Sequence, residues 1–196
     1  MSKPRIEWQR PEPTTFGSVS FTCGYCGSDV ASEKGFWGKV GASNVYICIC
    51  HRCSRPNFID YDRCQYPGSA FGEPVADITD PSVQVLYDEA RRCFSVSAHT
   101  SAVLACRKLL MHIAVSKGAE AGKPFVHYVQ YLADQNYVPP DARQWIDHIR
   151  AKGNEANHEI VVMQREEAEE LISFVHMLLK MIFEFPAAVK RRAKNP

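Results

Sequence analysis

Two Cys-x-x-Cys pairs constrain this chain more than anything else in it: Cys23-Gly24-Tyr25-Cys26-Gly27 and Cys50-His51-Arg52-Cys53. Two residues between cysteines let a tight turn aim both thiolates at one ion, and glycine after the second cysteine permits a positive φ. Two such turns complete a tetrahedral shell of four thiolates. The stretch between them can hold a hairpin. Val45, Ile47 and Ile49 alternate with Tyr46, Cys48 and Cys50, as a strand leading into the second pair should. A shell filled by four protein ligands is structural, because no position stays open for water or substrate. The expectation is therefore one structural Zn2+ held by Cys23, Cys26, Cys50 and Cys53. Cys48 and His51 are spare donors beside the second pair, but using either one breaks the knuckle spacing. Cys64, Cys93 and Cys106 read as small apolar packing residues.

The 196 residues suffice for one ordinary domain or two small ones. A net charge of +1 argues against a chain-wide basic surface, so any nucleic-acid contact must come from a local patch. The start of the chain is polar and broken by Pro4, without the apolar stretch of a secretory signal. No run of about 18 apolar residues suggests a membrane span. The expected compartment is the cytoplasm, with no membrane partner. There, eight cysteines read as metal ligands and core thiols rather than a disulfide framework.

Composition changes near residue 66. Residues 1–66 are expected to form a zinc ribbon with an N-terminal extension. Residues 67–80, with Pro67-Gly68 and Gly72-Glu73-Pro74, read as a linker. Asp80-Pro81 has the form of a helix start, an N-cap acceptor followed by proline. Helical stripes follow: Val83, Leu86, Tyr87, Ala90 and Phe94; Ala102, Ala105, Cys106, Leu109 and Ile113; Phe125, Val129 and Leu132; Ala142, Trp145, Ile146 and Ile149; and Leu171, Ile172, Val175, Leu178, Leu179 and Ile182. Glu166, Glu167, Glu169 and Glu170 suit the positive end of the last helix, and Pro186 is expected to end it. The expected fold is mainly α: a small β-rich zinc ribbon, then a bundle of about five helices over 81–187, then a basic tail over 188–196.

In the ribbon, Tyr25 and Trp37 offer faces on which bases can stack, while Lys39, Arg52 and Arg55 can meet phosphates. The alternative is that the aromatics are the ribbon's own small core. In the helical half, Arg150, Asn154 and His158 are spaced four apart and share one face of a continuous helix. Gly153 and two asparagines are poor helix formers, so this segment is not chosen for helicity.

About residues 80 to 187 resemble the bacterial domain-of-unknown-function family 4145. The resemblance rests on Ala90-Arg91-Arg92-Cys93-Phe94, on Ser101-Ala102-Val103-Leu104-Ala105-Cys106-Arg107-Lys108-Leu109-Leu110, and on Ile149-Arg150-Ala151-Lys152-Gly153-Asn154-Glu155-Ala156-Asn157-His158. The acidic start of the last helix completes it. That family is usually grouped with the HEPN superfamily, so the resemblance implies a dimerising helical bundle. It also implies, for many members, a metal-independent ribonuclease in bacterial defence or toxin systems. In such chemistry His158 would be the general base or acid and Arg150 would stabilise charge on the phosphate, with Asn154 between them. This chain departs from the family signature: Gly153, not arginine, precedes Asn154. The resulting expectation is a zinc-binding adaptor or sensor in a bacterial or phage defence process, homodimeric through the helical part, contacting RNA, DNA or a protein. A HEPN-like ribonuclease and a purely structural protein-contact module are the alternatives.

Overall fold

The computed structural model describes residues 7–8, 14–139, 145, 149 and 162–194. It divides into two compact units, Met1–Ala70 and Phe71–Pro196.

The N-terminal unit is a six-stranded antiparallel sheet. Its strands are β1 (Glu7–Trp8), β2 (Thr14–Thr22), β3 (Asp29–Val40), β4 (Ser43–Ile49), β5 (Pro56–Ile59) and β6 (Gln65–Tyr66). β3 is the hub. It pairs with β1, β2 and β4, and β5 and β6 follow β4 outward. The β3–β4 hairpin keeps strict register, with Trp37 opposite Tyr46 and Gly35 opposite Cys48. Gly35 is required where it stands, because a Cβ there would lie 1.8 Å from the Ile47 carbonyl oxygen. The small core of Val19, Phe21, Cys23, Val30, Cys48, Cys50 and Ile59 lies within this unit.

The helical unit contains, among the described residues, α1 (Pro81–Ser95), α2 (His99–Ser116), α3 (Phe125–Asp134) and a last rod, α4. α4 is α-helical over Arg165–Leu179, π-helical over Lys180–Glu184 and α-helical again over Phe185–Lys194. Asp80 caps α1 by accepting the Ser82 N–H at 2.8 Å, and Pro81 occupies the first turn. The four helices bury Tyr87, Leu109, Leu110, Ile113, Tyr128, Leu132, Ile172, Phe174, Leu178 and Leu179 in one core. By length and composition α4 is apolar enough to cross a membrane, with a mean hydropathy of 1.5 over its best window. Its buried residues from Ala168 to Leu179 belong to this core.

Three expectations about the fold are corrected. The N-terminal unit is not a small ribbon before a mainly α chain, since β2 and β3 alone are nine and twelve residues long. The bundle of about five helices is not found either: the described residues hold four. Of the stripe opened by Ala142, only Trp145 and Ile149 are described. Both are helical, with the Trp145 ring edge-on to Phe174 at 5.3 Å and Ile149 buried. At the last helix, Pro186 changes the geometry without ending the rod. It has no N–H for the Ile182 carbonyl, and the helix widens just before it, with the Phe185 N–H reaching back to the Lys180 carbonyl.

Residues 71–78 pack on the helical unit. Val75 is buried, Phe71 meets Phe94 ring to ring at 5.0 Å, and the Tyr87 hydroxyl donates to the Glu73 carbonyl at 2.9 Å. The Arg91 guanidinium donates to the carbonyls of Phe71 and Gly72.

Candidate metal centre

The two knuckles are built alike. In the first, the Gly27 N–H donates to the Cys23 carbonyl at 2.8 Å and the Cys23 N–H to the Ser28 carbonyl at 2.9 Å. In the second, the Ser54 N–H donates to the Cys50 carbonyl at 2.8 Å and the Cys50 N–H to the Arg55 carbonyl at 3.0 Å. The residue after each second cysteine has positive φ, Gly27 at 67° and Ser54 at 56°. The first knuckle uses glycine there; the second holds a serine in the same left-handed conformation.

β2 delivers Cys23 from one side and β4 delivers Cys50 from the other. The result brings four sulfurs together. Cys23 Sγ lies 3.6 Å from Cys53 Sγ, and Cys26 Sγ lies 3.8 Å from Cys50 Sγ. All four Sγ atoms lie within 4.8 Å of one another. A disulfide would need about 2.05 Å, and all four cysteines are free. A tetrahedral ion with metal–sulfur bonds of about 2.3 Å needs sulfur edges of about 3.8 Å. The spacing therefore fits one metal ion coordinated by four thiolates.

Electrostatics point the same way. Hydrogen bonds from the Ser28 hydroxyl and the Ser28 N–H lower the Cys26 thiol to about 6. Burial opposes ionisation of Cys23, but the N–H groups of Cys26 and Tyr25 and the Asn57 amide together hold its thiol below the usual value. Burial and the neighbouring sulfurs push Cys53 up to about 12. Four thiolates this close repel one another, and a cation is what lets all four ionise together.

Asn57 is the residue that sequence reasoning missed. It is fully buried on β5, directly opposite Cys48. Its Nδ2 donates to Cys23 Sγ at 3.5 Å and to the Arg55 carbonyl at 3.2 Å, and its Oδ1 accepts the Gly24 N–H at 2.9 Å. It thus ties the two knuckles together behind the sulfurs, the outer support that metal ligands commonly have. Ser32 does similar work from β3, donating to the carbonyl of Ile49, the residue before Cys50, at 2.8 Å. A polar residue at an inward strand position is the signal that finds both, and it needs the strand register to be known first.

Cys48 is fully buried in the small core, with its thiol raised by burial to about 11, and it is not among the four clustered ligands. His51 is exposed and also outside the cluster. In the helical unit Cys106 is buried and its thiol is pushed up to about 12, so it behaves as an apolar residue.

The residues read as nucleic-acid contacts fall into two groups. At the knuckles, the Arg55 guanidinium stacks 5.2 Å from the Tyr25 ring centre, and Arg52 donates to the Ser28 hydroxyl at 3.0 Å. On β3, the Lys39 ammonium stands 5.8 Å from the Trp37 ring centre. Arg150, Asn154 and His158 lie outside the described residues.

No curated protein and no solved structure matches the chain. A family model described as a domain of unknown function, DUF4145, matches residues 88–195. That stretch covers more than half of the chain and nearly all of the helical unit that follows the metal centre, so the protein belongs to the DUF4145 family.

Proposed function

We propose that the N-terminal unit is a structural zinc module whose sheet presents a contact surface for single-stranded nucleic acid, and that the DUF4145 part acts with it as a non-catalytic adaptor. Closure of the shell carries this reading. Four cysteine sulfurs sit at tetrahedral spacing and leave no coordination position for water or substrate. Soft thiolates in a tetrahedral set select zinc among common metals, with iron–sulfur chemistry as the competitor. An aromatic ring beside a cation, as at Trp37 with Lys39, is the chemistry of single-strand binding. The HEPN-like relation, the homodimer, the cytoplasmic setting and the defence role belong to the same proposal.

The test uses the purified full chain. Elemental analysis should give one zinc per chain. A mixed pool of short RNAs and single-stranded DNAs should be retained at low salt and released as salt rises. Incubation of RNA with the protein in EDTA should leave it intact. Cleavage that yields cyclic phosphate ends and disappears in a His158→Ala variant would replace the adaptor with a ribonuclease. Failure to retain any nucleic acid at low salt would replace it with a protein-contact module.

A further inference from the structure

The knuckle side chains that sequence reasoning favours for nucleic acid are already engaged with one another. Arg55 is stacked on Tyr25, and Arg52 is bonded to Ser28. At another place in the same unit, Ser43, Asn44, Tyr46, Tyr61 and Arg63 line a cleft of about 220 Å3. Every one of them carries a hydrogen-bonding group. The volume is below the roughly 300–1,000 Å3 of drug-sized ligand sites, so the cleft takes one base or one sugar–phosphate unit at a time.

Its floor comes from strand register. Lys39 pairs with Asn44 and Trp37 with Tyr46, and cross-strand partners share a face, as do residues two apart. Lys39, Trp37, Asn44 and Tyr46 therefore lie on one face of the β3–β4 hairpin. Asn44 Nδ2 donates to the Tyr46 hydroxyl at 3.1 Å, which leaves its carbonyl oxygen and its second N–H for a base edge.

The wall is the turn between β5 and β6. The Asp60 carboxylate accepts the N–H groups of Asp62 and Cys64 at 3.0 and 2.8 Å. The Arg63 N–H donates to the Asp60 carbonyl at 3.1 Å, and Arg63 itself sits at a φ of 64°. This turn fixes the backbone from which Arg63 and Tyr61 project. Among the described residues the Arg63 guanidinium has no hydrogen-bond or ion-pair partner. Tyr61 is exposed beside it.

We infer that this cleft is where the module holds single-stranded nucleic acid: Arg63 takes a backbone phosphate, Tyr61 stacks a base, Asn44 and the Tyr46 hydroxyl meet a base edge, and Lys39 with Trp37 carries the strand onward. The inference rests on the nucleic-acid reading above and names its surface. Asp60 and Asp62 both place negative charge on the wall and both act on Tyr61. The Asp60 carboxylate is tied into the turn by two backbone N–H groups, so the group to remove is Asp62. Its removal strengthens binding.

The experiment follows fluorescence anisotropy of a labelled single-stranded RNA of mixed sequence, with zinc-loaded full chain at low salt. Arg63→Asn keeps a residue that tolerates positive φ and removes the cation. It and Tyr61→Ala should each weaken binding about fivefold or more, the lower end of what one stacked base contributes. Asp62→Asn should tighten it, and Tyr25→Ala and Arg55→Ala should change it less than about twofold. Ultraviolet cross-linking of unmodified protein should map to the peptide that contains Tyr61. Wild-type binding that survives both cleft substitutions, or cross-links that map to Tyr25, would overturn the cleft and leave the nucleic-acid reading standing. No binding by the wild-type chain would remove both.

Discussion

Among the described residues the N-terminal unit buries eight apolar residues, and three of them are cysteines. Around Leu109 the helical unit buries aliphatic and aromatic side chains from all four described helices. Both are compact, but only the second has enough apolar surface to hold itself together. A unit of about 70 residues with so thin a core normally needs a disulfide or a metal as a staple. Here the four clustered sulfurs are placed to supply that staple by holding one metal ion, in place of a larger core. The helical unit owes its order to packing, and its buried cysteine, Cys106, is part of that packing.

The largest effect should come from the staple. Cys50→Ser removes one thiolate and should abolish stoichiometric zinc, with loss of ordered structure in β2 to β5. Structural zinc binding is worth about 10–16 kcal/mol in small finger peptides, far more than this core can replace. Backbone amide exchange of the variant should show the N-terminal sheet unprotected and the α2 amides protected. Next comes the converse substitution. Leu109→Ala opens a hole in the helical core and should cost about 2–5 kcal/mol of that unit's stability in urea unfolding. Its zinc content should stay at one per chain.

How much of this contrast is legible in the sequence follows from the range of the interactions. The four ligands are readable because knuckle geometry is local: two residues between cysteines, then a residue at positive φ. The start of α1 is equally local in Asp80-Pro81, and the stripes of α1, α2 and α3 are the buried faces. The extent of the sheet is not readable. β2 changes register between Thr15 and Val19, so Phe16 and Val19 break the alternation that marks a strand. β3 carries Gly35 and Gly38 with a buried Ser32, which reads as loop. Asn57 matters only because β5 places it opposite Cys48, and Arg63 only because the Asp60 turn projects it into the cleft. The continuation of α4 past Pro186 was hidden for a related reason, since a π-helical segment leaves no mark in hydrophobic spacing.

A smaller effect isolates the support behind the sulfurs. Asn57→Ala keeps all four ligands but removes the donor to Cys23 Sγ and the acceptor for the Gly24 N–H. Zinc affinity, measured by competition with a chromophoric chelator, should fall about 10–100-fold. The helical unit should not respond.

The smallest effect belongs to the helical unit and to pH. His176 stacks on Tyr87 with ring centres 6.5 Å apart, and its Nε2 is buried without a hydrogen-bond partner among the described residues. Burial lowers its pKa, helped by Lys180 and Arg91 and opposed by Glu73 and Glu184. A histidine whose folded pKa is depressed costs nothing while the unfolded chain is also neutral. As pH falls below the unfolded value of about 6.5, the unfolded chain takes up the proton first, and stability drops until the folded pKa is passed. His176→Phe should flatten this acid limb in urea titrations without loss of stability at neutral pH. An unchanged limb would assign it to another group.

The central claim is that the metal organises the N-terminal unit and nothing else. Hydrogen exchange of the full chain, read peptide by peptide before and after zinc is stripped by a strong chelator, tests it directly. Peptides covering β2 to β5 should lose protection while those covering α1, α2 and α4 keep it, and the far-UV helical signal should be retained. Collapse of helical protection together with the sheet, or a sheet that stays protected without metal, would contradict the account.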